Sequence, residues 1–306
     1  MARTLLIDQG QDTMALFRRR NDSSPGSPPP RAGEPGAELR TAPQRGVAAR
    51  TRDLVKVYGR GDTQVVALDR VSLDIYAGEY TAIMGPSGSG KSTLMHCMAG
   101  LDYVTAGTVE IGGVDLGGLV DRELTTLRRD KVGFVFQAFN LIPTLTAKEN
   151  ILLPLSIAGR KPDQEWYDTV IAATGLGDRL THKPSELSGG QQQRVACARA
   201  LACRPDIVFA DEPTGNLDSR SGSEVLGFLR RSVDEFGQTI VMVTHDATAA
   251  SYTDRVVFLA DGRVVHEERQ PTPAKVLEIM TGLDERRVAT QGAQGSAAHA
   301  AAHSEV

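Results

Sequence analysis

The chain has 306 residues, of which 41% are hydrophobic and 24% are charged, and its formal net charge is −4. This length can bury one substantial core or two modest ones, and the nearly balanced charge favours neither nucleic acid nor an acidic surface as a partner. The three cysteines, Cys97, Cys197 and Cys203, have neither paired nor metal-ligand spacing. They are expected to be reduced thiols in a reducing compartment, which excludes a disulfide-built protein.

Both ends of the chain differ in composition from its centre. Residues 1–48, rich in Pro, Gly and Ala, and the Ala-rich residues 284–306 are expected to be disordered because they cannot build a packed face. The arginines at 18–20 could touch anionic lipid, but basic runs this short are more often only solvated. The sequence has no secretory signal and no run of roughly 18 uninterrupted apolar residues that could cross a bilayer. Any membrane-spanning helices are therefore expected on another polypeptide.

Between these ends, residues 49–283 are predicted to form one dense domain. It opens with short alternating runs at 54–58, 65–68 and 71–75, which are typical of antiparallel strands with one solvent-facing side. A helical pattern dominates from about 140 to 203 and predicts a helical subdomain inserted into a sheet. That sheet is expected to be parallel, because five apolar runs without alternation suit strands buried on both faces: 80–84, 132–136, 207–210, 240–243 and 256–259.

A glycine-rich loop follows the first of these apolar runs and precedes a helix start, which is the context that a phosphate-binding P-loop needs. The glycines let backbone amides converge on a phosphate, and the helix N-terminus adds partial positive charge. Lys91 is expected to reach the β- and γ-phosphates, and the Ser92 hydroxyl to hold Mg²⁺. A chance Gly-Ser turn beside a lysine would lack this strand–loop–helix setting. The predicted nucleotide-binding residues here are Gly85, Pro86, Ser87, Gly88, Ser89, Gly90, Lys91, Ser92 and Thr93.

Two carboxylates, Asp211 and Glu212, end the apolar run 207–210. Ligands of parallel sheets bind beyond the carboxyl ends of the strands, so both side chains should lie near the phosphates. Asp211 is predicted to orient hydrated Mg²⁺, and Glu212 to polarise the attacking water. Adjacent carboxylates are usually only a solvated pair, but a pair that ends a wholly apolar strand is less easily explained that way.

A family resemblance follows from residues 187–191, Leu-Ser-Gly-Gly-Gln, which resemble the signature motif of ABC ATPases that other P-loop proteins lack. The resemblance extends to Gln137, to Asn216-Leu217-Asp218 and to His245, in the family's order, and it covers essentially all of 50–266. It implies an α/β fold of the P-loop NTPase (RecA-like) type. The parallel-sheet core of this fold carries a small antiparallel β subdomain and an inserted α-helical subdomain.

The resemblance also implies a site divided between two copies of the chain. Ser188 and Gly190, at the head of a predicted helix, would ligate the γ-phosphate held by the opposite protomer's P-loop. Two ATP molecules would then lie between two head-to-tail subunits, and Asp218 would line the dimer seam.

Further roles come from the same resemblance. Glu212, His245 and Gln137 would be the catalytic residues, with His245 contacting the γ-phosphate and holding Glu212 in position. Gln137 would sense Mg²⁺ or the lytic water, joining Ser92 and Asp211 as a metal-site residue. Tyr58 resembles the aromatic that stacks on adenine, and the alternative is an aromatic that closes the small antiparallel sheet. ATP and Mg²⁺ are the implied cofactors.

The finer resemblance is to the branch that contains macrolide-exporter and lipoprotein-release ATPases, carried by 84–90, 100–102, 133–137, 145–150 and 211–218. It implies a cytoplasmic ATPase subunit, peripheral on the membrane, that drives a separate permease and in some systems an extracytoplasmic adaptor. A motor with the same site could instead regulate cell division or wall hydrolases. An ABC ATPase acting on DNA or ribosomes is disfavoured, because such proteins are expected to carry coiled coils, a second cassette or basic arms.

Overall fold

The computed structural model describes residues 46–302 of the chain, with side chains described for 46–61 and 63–287. The arm predicted for 1–48 lies outside the described residues up to position 45, and its last two residues already belong to the first strand. Within the described part, no helix is long and apolar enough to cross a membrane.

The first sheet is antiparallel and has four strands in the order β2-β1-β4-β5. The runs predicted separately at 65–68 and 71–75 belong to one long strand, β2. The alternating pattern is interrupted between the two runs because the pairing with β1 shifts there: Leu54 pairs with Val71, but Lys56 pairs with Leu68. Arg70, at φ 53°, lies in this irregularity. The strands of this sheet are β1 Val47–Tyr58, β2 Val65–Tyr76, β4 Ala106–Ile111 and β5 Val114–Asp115.

The second sheet has six strands in the order β10-β9-β3-β8-β7-β6, and the five from β9 to β6 are parallel. Each apolar run without alternation in the sequence is one of these parallel strands, as predicted. The edge strand β10 pairs antiparallel with β9 and was not predicted, because it is largely exposed and charged. The strands are β3 Tyr80–Met84, β6 Val132–Phe136, β7 Ile207–Asp211, β8 Ile240–Val243, β9 Arg255–Ala260 and β10 Arg263–Arg269.

The helices cover both faces of this parallel sheet. One core cluster includes Tyr80, Ala82 and Met84 of β3, and a second cluster on the opposite face includes Ile83, because successive side chains of a strand alternate between faces. The helices are α1 Lys91–Met98, α2 Asp121–Lys131, α3 Ala147–Ile157, α4 Gln164–Thr174, α5 Gly189–Leu201, α6 Ser219–Phe236, α7 Ala247–Ala250 and α8 Pro273–Ala302.

Helices α3, α4 and α5 lie between β6 and β7 in the chain, where the sequence predicted a helical insert. Helix α8 differs from expectation, because it continues to Ala302 through the segment from 284 onward for which no regular structure was expected. Two physical reasons account for the helix. Alanine is the strongest helix former, and Val276 and Leu283 anchor the helix in the core.

Candidate nucleotide-hydrolysis site

The P-loop connects the carboxyl end of β3 to the first turn of α1. Gly85 has φ 148°, and a Cβ there would lie 1.9 Å from the carbonyl oxygen of Leu259 in β9. Gly90 has φ 98°, and a Cβ there would lie 2.4 Å from the carbonyl oxygen of Ala67 in β2. Only glycine fits this close passage between two strands, so these two positions fix the course of the loop.

The Lys91 side chain folds into the concave side of the loop. Its Nζ donates hydrogen bonds to the carbonyl oxygens of Gly85 and Pro86, at 2.9 and 2.8 Å. Burial lowers the pKa of Lys91, while the carboxylates of Glu212 and Asp211 act in the opposite direction. The ammonium group therefore lies within electrostatic reach of both carboxylates.

The remaining P-loop residues divide into exposed and buried positions. Ser87 and Gly88 form the exposed tip of the loop, Ser89 is buried below it, and Ser92 is exposed in the first turn of α1 next to Thr93. Gly90 is the N-cap residue of α1, so the loop leads directly into the amino end of this helix.

The two predicted carboxylates lie at the end of β7. Asp211 is the last residue of the strand, and Glu212 follows with φ 44° while its backbone N–H donates to the carbonyl oxygen of Val243 in β8. Burial raises the pKa of Asp211; nearby His96 lowers it and Glu212 raises it further. Burial of a carboxylate is energetically unfavourable when no described side chain donates a hydrogen bond to it. Such a carboxylate is therefore suited to bind a cation.

Replacing Asp211 with Asn should therefore abolish function while stabilising the fold. A folded-state pKa above the unfolded value means that the ionised carboxylate costs stability as pH rises through the folded pKa. Asp211→Asn should raise the melting temperature at neutral pH without nucleotide or divalent cation. This gain should shrink as pH falls, and ATPase activity should drop at least about 100-fold. Thermal unfolding beside Asp178→Asn, at an exposed position, tests it; a lower melting temperature would contradict the prediction.

His245 follows β8 and contacts Glu212 directly. Its Nδ1 lies 2.9 Å from Oε1 of Glu212, and the ring is otherwise exposed. The imidazole can hold the carboxylate in one orientation and still offer its other ring nitrogen to a ligand. This is the contact between His245 and Glu212 that the family resemblance implied.

Gln137 follows β6 and is tied to the loop that follows Glu212. Its Nε2 donates to Oδ1 of Asn216 at 3.2 Å, and Nδ2 of Asn216 donates to the Gln137 carbonyl oxygen at 3.0 Å. Gly215 lies so close to the Gln137 amide that a Cβ would approach Nε2 to 2.7 Å. The position of Gln137 is thus coupled to the segment that carries the candidate base.

The signature residues begin α5. Ser188 is the N-cap: its Oγ accepts from the Gln191 N–H at 3.3 Å, and Oε1 of Gln191 accepts from the Ser188 N–H at 2.9 Å. Gly190 is buried, and a Cβ there would lie 2.8 Å from Ser221 of α6. In the described part of the chain, no hydrogen bond joins Ser188 or Gly190 to the P-loop.

Asp218 and Tyr58 both have partners of their own. Asp218 is exposed and caps α6, and hydrogen bonds from Ser221 and Arg220 lower its pKa. Tyr58, 42% exposed at the end of β1, donates from its hydroxyl to Asp102 at 2.6 Å. Burial raises the pKa of Tyr58 most, and hydrogen bonding to Asp102 raises it too. The Lys56 ammonium group lies over the Tyr58 ring, 4.7 Å from its centroid.

Gln193 has a structural role that the sequence analysis did not predict. It is fully buried, and its Nε2 donates to the carbonyl oxygens of Phe136 and Pro213 at 3.2 and 2.6 Å. Phe136 precedes Gln137 and Pro213 follows Glu212, so one side-chain amide supports both segments that carry candidate catalytic residues. Its spacing in the sequence could have predicted its burial, because Gln193 lies on the buried face of α5 with Gly190, Cys197, Ala200 and Leu201.

Gln193→Leu should lower the free energy of unfolding by about 1–3 kcal/mol, because it leaves the buried Pro213 carbonyl oxygen without its donor. The Phe136 carbonyl oxygen keeps the Phe139 N–H as a donor. Urea unfolding measures the change. The control Gln164→Leu alters an exposed glutamine that bonds only Asp168, and it should shift stability by less than about 0.5 kcal/mol. Equal stability of the two variants would show that the Gln193 bonds are dispensable.

Together, the parallel sheet, the P-loop and the carboxylates at the end of β7 define a P-loop nucleoside triphosphatase, and the inserted helices place a capped signature motif on it. The ABC transporter family profile matches residues 68–215. The lipoprotein-releasing system ATP-binding protein LolD of Geobacter metallireducens is 49% identical over 219 residues, which cover 70% of this chain and 96% of that protein. The chain therefore belongs to the ABC transporter family, and it is an ATP-binding and ATP-hydrolysing subunit.

Two other proteins extend the comparison. The macrolide export ATP-binding/permease protein MacB of Marinobacter nauticus is 44% identical over 225 residues, but these cover only 35% of that longer protein. The ATP-binding cassette MJ0796 of Methanocaldococcus jannaschii has been solved as a dimer in a post-hydrolysis state bound to ADP and Pi. It is 45% identical with a TM-score of 0.66, and the match covers 72% of this chain and 98% of that one. The predicted fold class and family are confirmed.

Proposed function

We propose that ATP binding closes a head-to-tail dimer of this chain and that hydrolysis reopens it, so that the cycle drives a separate membrane permease. The observation that carries this proposal is the exposed, capped Ser188, which makes no hydrogen bond to its own P-loop within the described residues. A second copy could bring this helix start to the γ-phosphate. The dimeric state of MJ0796 supports the same arrangement.

Magnesium fits the side chains at the base of the loop. Mg²⁺ favours oxygen ligands and keeps several waters, so it needs one or two protein oxygens beside the phosphates rather than a carboxylate cluster. The Ser92 hydroxyl and the Asp211 carboxylate would supply these oxygens, with Gln137 near them. The buried charge of Asp211 favours a cation there. When bound, the ion would neutralise charge on the phosphate oxygens.

Glu212 is the proposed general base, and His245 its positioning partner. The 2.9 Å contact fixes the carboxylate, and Lys91 adds positive charge on the phosphate side. Gln137, held by Asn216, would link the occupancy of this site to the helical insert. Tyr58, Ser87 and Thr93 would border the nucleotide, and Asp218 the dimer seam.

A groove between the sheet core and the inserted helices is the proposed permease site. Its volume is about 420 Å³, and its lining combines the apolar Leu101, Phe134 and Pro154 with the cations Arg128 and Arg199. An amphipathic helix that has acidic residues at its ends, contributed by a membrane protein, would complement the apolar and cationic lining of this groove. The chain would then lie on the cytoplasmic face of the membrane through its permease.

Relatives in the lipoprotein-releasing and macrolide-export systems favour export or mechanical transmission as the work done. Affinity purification of the tagged chain from membranes tests this. A co-purifying permease with a large extracytoplasmic domain supports the proposal, and recovery with a wall hydrolase supports the regulatory alternative. Leu101→Arg, in the groove, should lose the partner, whereas Leu277→Arg, exposed on α8, should retain it. Recovery of DNA or ribosomes alone would contradict both readings.

A further inference from the structure

Helix α8 brings a cation from the far end of the chain to the P-loop. Val276 is fully buried and Leu283 is 9% exposed, and both belong to the core cluster on one face of the parallel sheet. One turn beyond Leu283, Nη1 of Arg287 donates a hydrogen bond to the carbonyl oxygen of Ser87 at 2.8 Å, across 200 residues of sequence. The anchored helix therefore fixes where this guanidinium can reach.

The tip of the P-loop is an exposed turn with Ser87 and Gly88 as its central residues. A Cβ at Gly88, which has φ 78°, would meet nothing within 4 Å. The Ser89 N–H donates to the Pro86 carbonyl oxygen and closes this turn, and the Gly262 N–H donates to the Ser89 carbonyl oxygen below it. The Arg287 bond ties this exposed turn to a helix from the far end of the chain.

A cavity of about 160 Å³ separates the loop from the helix, lined by Ser89 on one side and by Leu283 and Arg287 on the other. Ser89 is 4% exposed, and its hydroxyl has no hydrogen-bond partner. The loop is thus loosely packed on the α8 side.

We propose that α8 is a latch on the P-loop and that Arg287 is a positioning residue that strengthens nucleotide binding. A loop already held in its binding conformation loses less entropy when the ligand arrives, and an added cation favours the polyphosphate. ATP and ADP both carry a β-phosphate, which the P-loop would hold, so the change in binding affinity should be the same for both nucleotides. This inference rests on nucleotide binding at the P-loop and adds a determinant outside the loop, the carboxylates and the signature motif.

Calorimetry with the full-length chain tests the latch. Arg287→Ala should raise the Kd for ATP and for ADP about five-fold, while kcat at saturating ATP stays within about two-fold of wild type. Arg287→Lys should recover part of the affinity, because it keeps the charge but not the planar donor geometry. Lys275→Ala is the matched control, since it removes a cation from the first turn of the same helix where the lysine pairs with Glu278.

A second variant separates the latch from a local charge effect. Leu283→Ala should loosen α8 and weaken nucleotide binding as Arg287→Ala does, and the double variant should be no weaker than the more affected single variant. Unchanged Kd values for Arg287→Ala, or a fall in kcat with unchanged Kd, would overturn the inference. A wild-type chain that binds no nucleotide would instead overturn the proposed function.

Discussion

Glu212→Gln is expected to lower ATP turnover about 10³-fold while leaving ATP affinity nearly unchanged. The amide keeps the size of the carboxylate but cannot accept a proton from the attacking water, and general-base catalysis typically contributes 10²–10⁴-fold. His245 loses an ionic partner at 2.9 Å but can retain a hydrogen bond to the amide. Single-turnover hydrolysis and calorimetry separate the two effects.

The same variant should accumulate an ATP-bound dimer, because closure is no longer followed by hydrolysis. Light scattering with ATP should show twice the monomer mass, and the mass should return to that of the monomer without nucleotide. Glu224→Gln, an exposed glutamate of α6 paired with Arg194, is the control and should hydrolyse ATP normally. Normal turnover by Glu212→Gln would show that Glu212 is not the base.

Lys91→Ala is expected to weaken ATP binding about 100-fold. A charge-assisted hydrogen bond contributes about 1.5–3 kcal/mol, and about 1.4 kcal/mol corresponds to a ten-fold change in affinity. The ammonium group lies in the fold of the loop, bonded to two loop carbonyls, so its removal also loosens the loop. Calorimetric titration with ATP measures the loss.

Lys161→Ala provides the control for this change, since Lys161 is exposed between α3 and α4. It should bind ATP as wild type does. Circular dichroism should show that both variants are folded. If Lys91→Ala bound ATP with unaltered affinity, residues 85–92 would not form the phosphate site.

The parallel sheet was predictable because its strands are buried on both faces and carry no polar alternation, as in 207–210 and 240–243. The sequence did not predict that β2 is one continuous strand, because the conformation of the chain at Arg70 depends on how β2 pairs with β1. Helix α8 was missed because a composition of Ala, Gly and Gln is compatible with disorder. Its core anchors, Val276 and Leu283, become visible only when the sheet is assembled.

In the site, too, residues with a local sequence pattern were predictable, whereas contacts between distant segments were not. The P-loop glycines, Asp211 and Glu212 could be placed because each follows directly on a predicted strand. The bracing by Gln193, the pairing of Gln137 with Asn216 and the reach of Arg287 join segments far apart in sequence. No local pattern specifies such contacts, since they depend on how α5 and α8 pack against the sheet.

The proposed active site is shared by two copies of the chain, with Ser188 of one copy facing the nucleotide of the other. Ser188→Asp keeps a good N-cap for α5 but places a negative charge toward the γ-phosphate. The decisive measurement is the light-scattering mass of the Ser188→Asp, Glu212→Gln double variant with saturating ATP, compared with Glu212→Gln carrying Ser185→Asp at a nearby exposed position. We predict a monomer for the first and a dimer for the second, with equal ATP affinity at each P-loop. A dimer of the first variant would contradict the shared site.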